Sequence, residues 1–345
     1  MHHSLNNRVA IIGAGIAGAT CARLLCDAGF EVEVFDKSRG VGGRMSTRRS
    51  EWTDCDGLIH TAHFDHGVPG FSAYSPNFIE FVKQAHEKSV LARWQPRMIS
   101  DQDQINDETE SWVATPNMSA WCRDLLSDSK VTFTCNIHSL IRSASGWTLQ
   151  CAEETITKTF DAVIIAIPPL QATSLLKPHQ PDWADHAQTL IQQPHWILMG
   201  VTSDVSPVLN WELFRPASGP LSLIIRNDAK PQRQQTPGFI NWVIHASHEW
   251  SQQHLESSID DVEAALKIAF SDTLGYPFNW HRASVHRWRY ASDLVVKDIL
   301  CPDLHLWQAE LGLGVCGDAW GGDGVEGAWS SANTLASRLI KPDEL

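Results

Sequence analysis

The sequence predicts an α/β protein of two domains, one on a parallel sheet and one on a mixed sheet with helices. Three observations carry the prediction. Residues 8–36 run as a short apolar strand, a glycine turn, an Ala- and Leu-rich helix and a second strand ending on an acid. Residues 160–169 are a continuous β-branched run closed by Pro168 and Pro169, as in a strand buried on both faces. Residues 311–340 return to the strand, glycine turn and helix pattern at the far end of the chain.

The first unit sets Val9–Ile12 before Gly13-Ala14-Gly15-Ile16-Ala17-Gly18. Gly13 permits the tight turn, Gly15 lets the backbone approach a pyrophosphate, and Gly18 lets the helix pack close to the strand. The helix opening at Ile16 and Ala17 offers free N–H groups and a positive dipole end to phosphates. Asp36 follows Gly18 by eighteen residues, at the tip of the next strand, where it can accept hydrogen bonds from a ribose diol. A strand before the glycines and a helix after them mark a Rossmann-type unit. Then comes Lys37-Ser38-Arg39-Gly40-Val41-Gly42-Gly43-Arg44-Met45. The backbone of its glycine pair can pass close to a cofactor, and Arg44 can pair with a pyrophosphate or support the loop.

Further along, 65–76 reads as loop, 77–89 as helix, 95–110 as a polar excursion and 117–127 as helix. Residues 131–137, 146–151 and the segment up to 160 read as strands of a meander. A boundary falls near 170. Beyond it, 196–203, 221–226, 239–246 and 284–291 are strand-like, and 259–273 is a helix with Ser258-x-x-Asp261 as its capping box. The expected division is 1–76, 110–170 and 296–345 for the cofactor domain, and 77–109 and 171–295 for the substrate domain.

The 345 residues suffice for two cores. A net charge of −13 argues against a nucleic-acid partner or an anionic membrane surface. The eight cysteines form no CxxC pair and read as reduced thiols of a cytoplasmic protein. The apolar runs are too short to span a bilayer, and the first residues show no signal-peptide core. Fifteen tryptophans against three tyrosines suggest aromatic surfaces around a planar ligand, with most of the tryptophans filling core.

The glycine pair and arginine after the ribose acid resemble the FAD fingerprint of the flavin amine oxidase superfamily. The 160–169 strand resembles the one that returns to the FAD sheet there, and Gly317–Ala328 resembles its second flavin motif. Within that superfamily the chain most resembles the renalases, through GGRMSTRR (42–49), FDHG (64–67), NMSAW (117–121), NWVIHASHEWS (241–251), HRWRYA (286–291) and GDAWGGDGVEGAWSS (317–331). The resemblance implies one non-covalent FAD. It would be held at Gly13, Gly15, Ile16, Ala17, Gly18, Asp36, Lys37, Gly43, Arg44, Met45, Ile137 and Ala166, and at Asp318, Gly324, Val325, Glu326 and Ala328. It also implies hydride transfer to flavin N5 from the misreduced 1,2- and 1,6-dihydro isomers of NAD(P), with oxygen reoxidising the flavin to give peroxide.

Some positions depart from the family pattern. FDHG continues as Gly67-Val68-Pro69-Gly70-Phe71, without the family's Gln and Tyr, and Ser330-Ser331 stands where Ser-Gly is commoner. Val325 holds the place of an amine oxidase's cage aromatic, and no lysine presents itself as that family's N5 partner. The rival readings are an amine oxidase, a desaturase-type oxidase and a non-catalytic flavin-binding module.

Residues 241, 243 and 245 share one face of a strand, so Asn241 and His245 are candidates to hold a carboxamide- or phosphate-bearing substrate. Trp288 and Tyr290 share a face with His286 and are candidates for an aromatic wall. His60-x-x-His63-x-x-His66 has a spacing that invites a metal, but it lies in a strand or loop and overlaps FDHG, so no metal is expected. Cys316 reads as a small buried apolar residue.

Overall fold

Alternate residues of the first strand enter different cores: Val9 and Ile11 one, Ala10 and Ile12 another. The structure, a computed structural model, describes residues 8–100, 111–152, 156–190, 192–203, 209–291, 305–322 and 324–341. In chain order the first part holds β1 (Arg8–Ile12), α1 (Ile16–Asp27), β2 (Glu31–Phe35), β3 (Thr47–Thr53), β4 (Ile59–Asp65), α2 (Pro76–Glu87), β5 (Leu91–Trp94) and β6 (Met98–Ser100). Then come β7 (Ser111–Ala114), α3 (Ser119–Leu125), β8 (Lys130–Thr132), β9 (Ile137–Ser143), β10 (Gly146–Cys151), β11 (Ala162–Ile165), α4 (Pro169–Leu176) and α5 (Pro181–Thr189). The last part holds β12 (His195–Ser203), β13 (Leu213–Arg215), β14 (Leu221–Arg226), β15 (Phe239–Ala246), α6 (His248–Gln253), α7 (Ile259–Leu274) and β16 (Trp280–Trp288). It closes with β17 (Leu306–Gln308), β18 (Leu313–Val315), α8 (Asp318–Gly321) and α9 (Gly324–Ile340).

The first sheet has the order β17-β18-β11-β1-β2-β8. It is parallel except for β17, which pairs antiparallel with β18. Strand β11 is buried on both faces: Ala162 and Ile164 meet the α1 and α9 side, Val163 and Ile165 the side of β9, β10, α4 and α5. Pro168 and Pro169 end that strand and also start α4, with Pro169 at the first helical turn, where no N–H is needed.

The second sheet has the order β16-β12-β15-β14-β13-β6. Ile240, Trp242 and Ile244 pack under α7, while Val243, Ile197, Met199 and Val201 face the first domain's core. Helix α7 is capped as its sequence predicts: the Ser258 hydroxyl accepts the Asp261 N–H at 3.2 Å and donates to the Asp261 carboxylate at 2.7 Å. Phe78 and Phe81 of α2 pack against Trp121 of α3 and Trp329 of α9.

Several elements depart from expectation. The strand expected at 131–137 stops at Thr132. Thr134 turns with φ +55°, and its amide and that of Cys135 bond back to the Ser38 and Asp36 carbonyls. The strand expected at 284–291 spans 280–288, because its register with β12 runs from Trp280 opposite Thr202 to Trp288 opposite His195. The β3–β4 hairpin and helices α4 and α5 carry no strong pattern of their own. Residues 101–110 of the polar excursion and the expected boundary at 296 lie outside the described residues.

Candidate functional site

Two glycine motifs meet at the end of the first sheet. Gly13 has φ +111°, and a Cβ there would lie 2.4 Å from the Ala166 carbonyl oxygen. A Cβ on Gly18 would lie 2.0 Å from the Gly13 carbonyl oxygen, so α1 packs against β1 only with glycine there. Gly15 bridges to Gly42, the Gly42 N–H donates to the Ala14 carbonyl at 2.9 Å, and a Cβ on Gly43 would sit 3.2 Å from Gly15 Cα. Gly15 is the N-cap of α1, and no side chain caps that helix. The first-turn amides at Ile16 and Ala17 therefore sit beside bare backbone, a fit for a pyrophosphate.

Asp36 sits at the tip of β2. One carboxylate oxygen accepts the Ala14 N–H and the other the Ser38 N–H, both at 2.7 Å. These bonds fix the carboxylate and leave it accepting capacity for a diol. Lys37 donates to Gln171 of α4 at 3.0 Å. Met45 and Ile137 are buried in separate cores, and Ala166 lies beneath the Gly13 turn.

The C-terminal motif joins the first one through an ion pair. Arg44 reaches both Asp318 oxygens, at 2.6 and 2.5 Å, and so ties the two motifs together. A Cβ on Gly327 would lie 1.4 Å from the Gly322 carbonyl oxygen. Gly322 and Gly324 have positive φ and open space where a Cβ would point, so the start of α9 can be approached closely. Val325 and Ala328 are buried there, and the Glu326 carboxylate turns away to accept the Tyr74 and Ser75 amides at the start of α2, both at 2.8 Å. The Ser331 hydroxyl, which a glycine would lack, accepts the Gly317 N–H at 3.0 Å. Asp323 lies outside the described residues.

The second sheet turns an aromatic and imidazole face toward these motifs. His286 and His245 flank Ile197 in one cross-strand row, about 10 Å apart at strand spacing. His195 pairs with Trp288 at the neighbouring end, and its ring lies 5.2 Å from that of His245 and 4.8 Å from that of His248. Trp288 stacks on His66 at 5.4 Å and donates its indole N–H to the His66 carbonyl at 2.8 Å. Asn241 shares the His245 face but lies four residues away, about 13 Å along the strand, so one small group cannot bridge the two. Tyr290 falls beyond the end of β16, and the alternation that aligns it with His286 and Trp288 stops at Trp288. In place of the expected Trp288 and Tyr290, the ring cluster is Trp288 with His66 and His286.

Three imidazoles, those of His66, His286 and His245, are held neutral. Burial lowers His66 to about 4, with the Arg48 charge adding to it. Burial lowers His286 to about 3, with His66 and Arg48 contributing. Burial pushes His245 well below its ordinary value, and His195, Lys230, His66 and His248 act in the same direction. His66 Nδ1 and His245 Nε2 are both buried without a hydrogen-bond partner.

Sequence reasoning missed the charge cluster beside this face. Asp65 is fully buried and binds Lys230 at 3.2 Å and Arg233 at 2.8 and 3.0 Å; it also accepts the Thr47 hydroxyl at 2.7 Å and the Met118 N–H at 3.2 Å. Burial would raise the Asp65 carboxyl, but the two cations and the hydrogen bonds hold it at about 2. Burial lowers Lys230 to about 8, against the pull of Asp65, and its ammonium lies 5.4 Å from the Trp94 ring centroid. The three charges leave one buried positive charge in excess. FDHG signals Asp65, but nothing near Lys230 or Arg233 does.

The histidines at 60, 63 and 66 diverge. His60 binds Asp54 at 2.6 Å and stacks on Trp52, the His63 carbonyl accepts from Asn227, and His66 enters the site. Among the described residues no group of three His, Cys, Asp or Glu is placed to hold a metal ion. No described helix is long and apolar enough to cross a membrane.

A parallel sheet with glycine cradles, joined to a mixed sheet that faces them, defines an α/β fold whose N-terminal unit matches NAD(P)-binding Rossmann-like domains over residues 11–85. The fold as a whole is shared with solved oxidoreductases. A proposed protoporphyrinogen oxidase from Exiguobacterium sp. 255-15 superposes with TM-score 0.74 at 10% identity, covering 97% of this chain and 99% of that one. Putrescine oxidase, in a triple mutant, superposes with TM-score 0.64 at 14% identity, covering 97% and 99%.

In sequence, the chain is 26% identical to a tRNA 5-methylaminomethyl-2-thiouridine biosynthesis bifunctional protein of Magnetococcus marinus, over 46% of this chain and 29% of that protein. It is 44% identical to the L-amino-acid oxidase of Siganus canaliculatus over 14% and 10%, and 33% identical to the 15-cis-phytoene desaturase of Synechococcus elongatus over 28% and 18%. The chain covers less than a third of the length of these relatives.

Proposed function

We propose that this chain is an FAD-dependent oxidoreductase that removes hydride from 1,2- or 1,6-dihydro isomers of NAD(P), with oxygen as the final acceptor. The observation that carries it is the pair of buried, unpartnered ring nitrogens, His66 Nδ1 and His245 Nε2, on neutral imidazoles, the first stacked on Trp288. The neutral His245 nitrogen suits a carboxamide, and the aromatic wall suits a flat ring. Removing hydride from a dihydropyridine is driven by aromatisation, so the site has to position the donor carbon and exclude water rather than move a proton first. The buried carboxylate next to His66 in the chain, Asp65, is committed to two cations and is no free base.

The residues fit FAD at both cradles. Gly15, Gly42 and the start of α1 would hold the pyrophosphate, Asp36 the ribose, and Asp318 and the start of α9 the far half of the cofactor. FAD supplies the hydride acceptor and its reaction with oxygen. The chain contributes a helix N-terminus and the excess positive charge of Lys230 and Arg233, both of which favour negative charge developing nearby.

A second reading, amine oxidation, is favoured by one observation: Lys230 is buried near His245 with its ammonium 5.4 Å from the Trp94 ring centroid, a lysine the sequence did not suggest. Incubating the FAD-loaded protein with 1,6-dihydro-NAD in air tests the main reading. One NAD⁺ and one peroxide per donor consumed support it. Turnover of primary amines instead, lost in Lys230→Met, supports the second.

A further inference from the structure

Arg48 is a cation that the proposed hydride transfer does not use. On β3 it shares a face with Ser50, which accepts a bond from Arg282 at 3.3 Å, and with Trp52, which packs on Phe239 and His281. Alternation therefore aims Arg48 at β16, where a guanidinium nitrogen lies 3.4 Å from His286 Nδ1. The side chain is half-buried, and among the described residues no carboxylate lies within ion-pair distance. Its neighbours in sequence and space do have carboxylates: Arg44 has Asp318, Arg49 has Glu51 and Arg233 has Asp65. The chain carries 40 Asp and Glu against 27 Lys and Arg, so this gap does not come from a shortage of acids.

Partial burial of an uncompensated charge is unfavourable, and burial lowers Arg48 from its ordinary value. Such a charge persists where an anion arrives from outside. The surrounding groups are arranged for that. His66 and His286 lie ring to ring at 4.8 Å, and His66 Nδ1 is buried with nothing to bond.

We propose that Arg48 and His66 form an oxyanion subsite that takes a phosphate or carboxylate of the substrate. This rests on the reading above, under which the oxyanion is a phosphate of the nicotinamide nucleotide. Arg48 supplies the permanent charge and the donor fork, and His66, in the tautomer protonated at Nδ1, supplies a neutral donor.

The test titrates the FAD-loaded protein with inorganic pyrophosphate and, separately, with benzoate, followed by calorimetry and by the flavin absorption band. Pyrophosphate binding that weakens at least about tenfold in Arg48→Gln, but not in Arg49→Gln, supports a phosphate subsite. The same pattern with benzoate alone supports a carboxylate subsite. Equal binding by wild type and Arg48→Gln, or equal weakening in Arg49→Gln, overturns the proposal.

A second measurement on wild type needs no variant. An oxyanion on Arg48 removes part of the field that lowers His66 and His286, with Asp65 already acting the other way on His66. Anion binding at pH 5 should therefore take up protons, and binding without uptake contradicts the subsite. Loss of pyrophosphate binding in Arg48→Gln, together with no flavin reduction by any dihydronicotinamide, overturns the substrate reading while the subsite stands.

Discussion

Replacing Asp65 by Asn leaves Lys230 and Arg233 buried side by side with no anion. Both cations are buried to within a few per cent, with side-chain exposures of 0% and 2%, so water cannot screen them. Breaking a buried pair by removing one partner costs about 3–5 kcal/mol. The pH dependence supplies a second figure. The Asp65 carboxyl is held at about 2 against an ordinary 3.8, which corresponds to about 2–3 kcal/mol. Because the folded value is the lower one, that stabilisation is complete above about pH 4 and is lost as the pH falls through about 2.

Urea unfolding of the FAD-loaded protein measures both effects. Asp65→Asn should lose about 3 kcal/mol or more at pH 7, and its decline between pH 4 and 2 should be smaller than that of the wild type by about 2–3 kcal/mol. Lys230 then faces Arg233 alone and gives up its proton at lower pH. The variant should recover part of the loss between pH 7 and 9, and the double variant Asp65→Asn/Lys230→Met should recover more at every pH. A loss below about 1 kcal/mol, or strict additivity of the two substitutions, would refute the reasoning.

Other outcomes follow from the same geometry. Gly18→Ala places a methyl 2.0 Å from the Gly13 carbonyl oxygen and should abolish flavin retention, measured as the absorbance ratio of the purified protein; full occupancy contradicts the cradle. Asp36→Ala should lower flavin occupancy through the lost ribose contact and the loosened Ala14 amide, and unchanged occupancy removes Asp36 from the site. Glu326→Ala strips two amides at the start of α2 of their acceptor and should lower stability by about 1–2 kcal/mol by thermal unfolding. His66 and His286 have folded values below the unfolded 6.5, so they weaken the fold as the pH falls from about 6.5 through about 4 and 3. Imidazole NMR should show neither titrating above pH 5.

The dinucleotide unit was legible because each of its residues answers a local demand. Gly13 and Gly18 sit where any side chain would collide with backbone, and the 160–169 run is apolar on both faces because both faces are covered. Helix α7 was legible through Ser258 and Asp261, a cap of local contacts. The charge cluster was not legible, because Asp65 meets Lys230 and Arg233 across more than 160 residues of chain and no local pattern records that pairing. The surroundings of Asn241 and His245 were not legible for a related reason. Alternation reports a shared face, but what faces each position depends on the hairpin β3–β4 and on β16, and only the folded register supplies those neighbours. Tyr290 was assigned to the site by extending a strand that ends two residues earlier.

The central claim is that the electrons come from a misreduced nicotinamide. The FAD-loaded protein, mixed without oxygen with 1,2-dihydro, 1,6-dihydro and ordinary NADH and NADPH and then with primary amines, reports its donor through bleaching of the flavin band. Rapid bleaching by a 1,2- or 1,6-dihydro isomer alone is the predicted result. Bleaching by amines, or by none of these donors, contradicts the account.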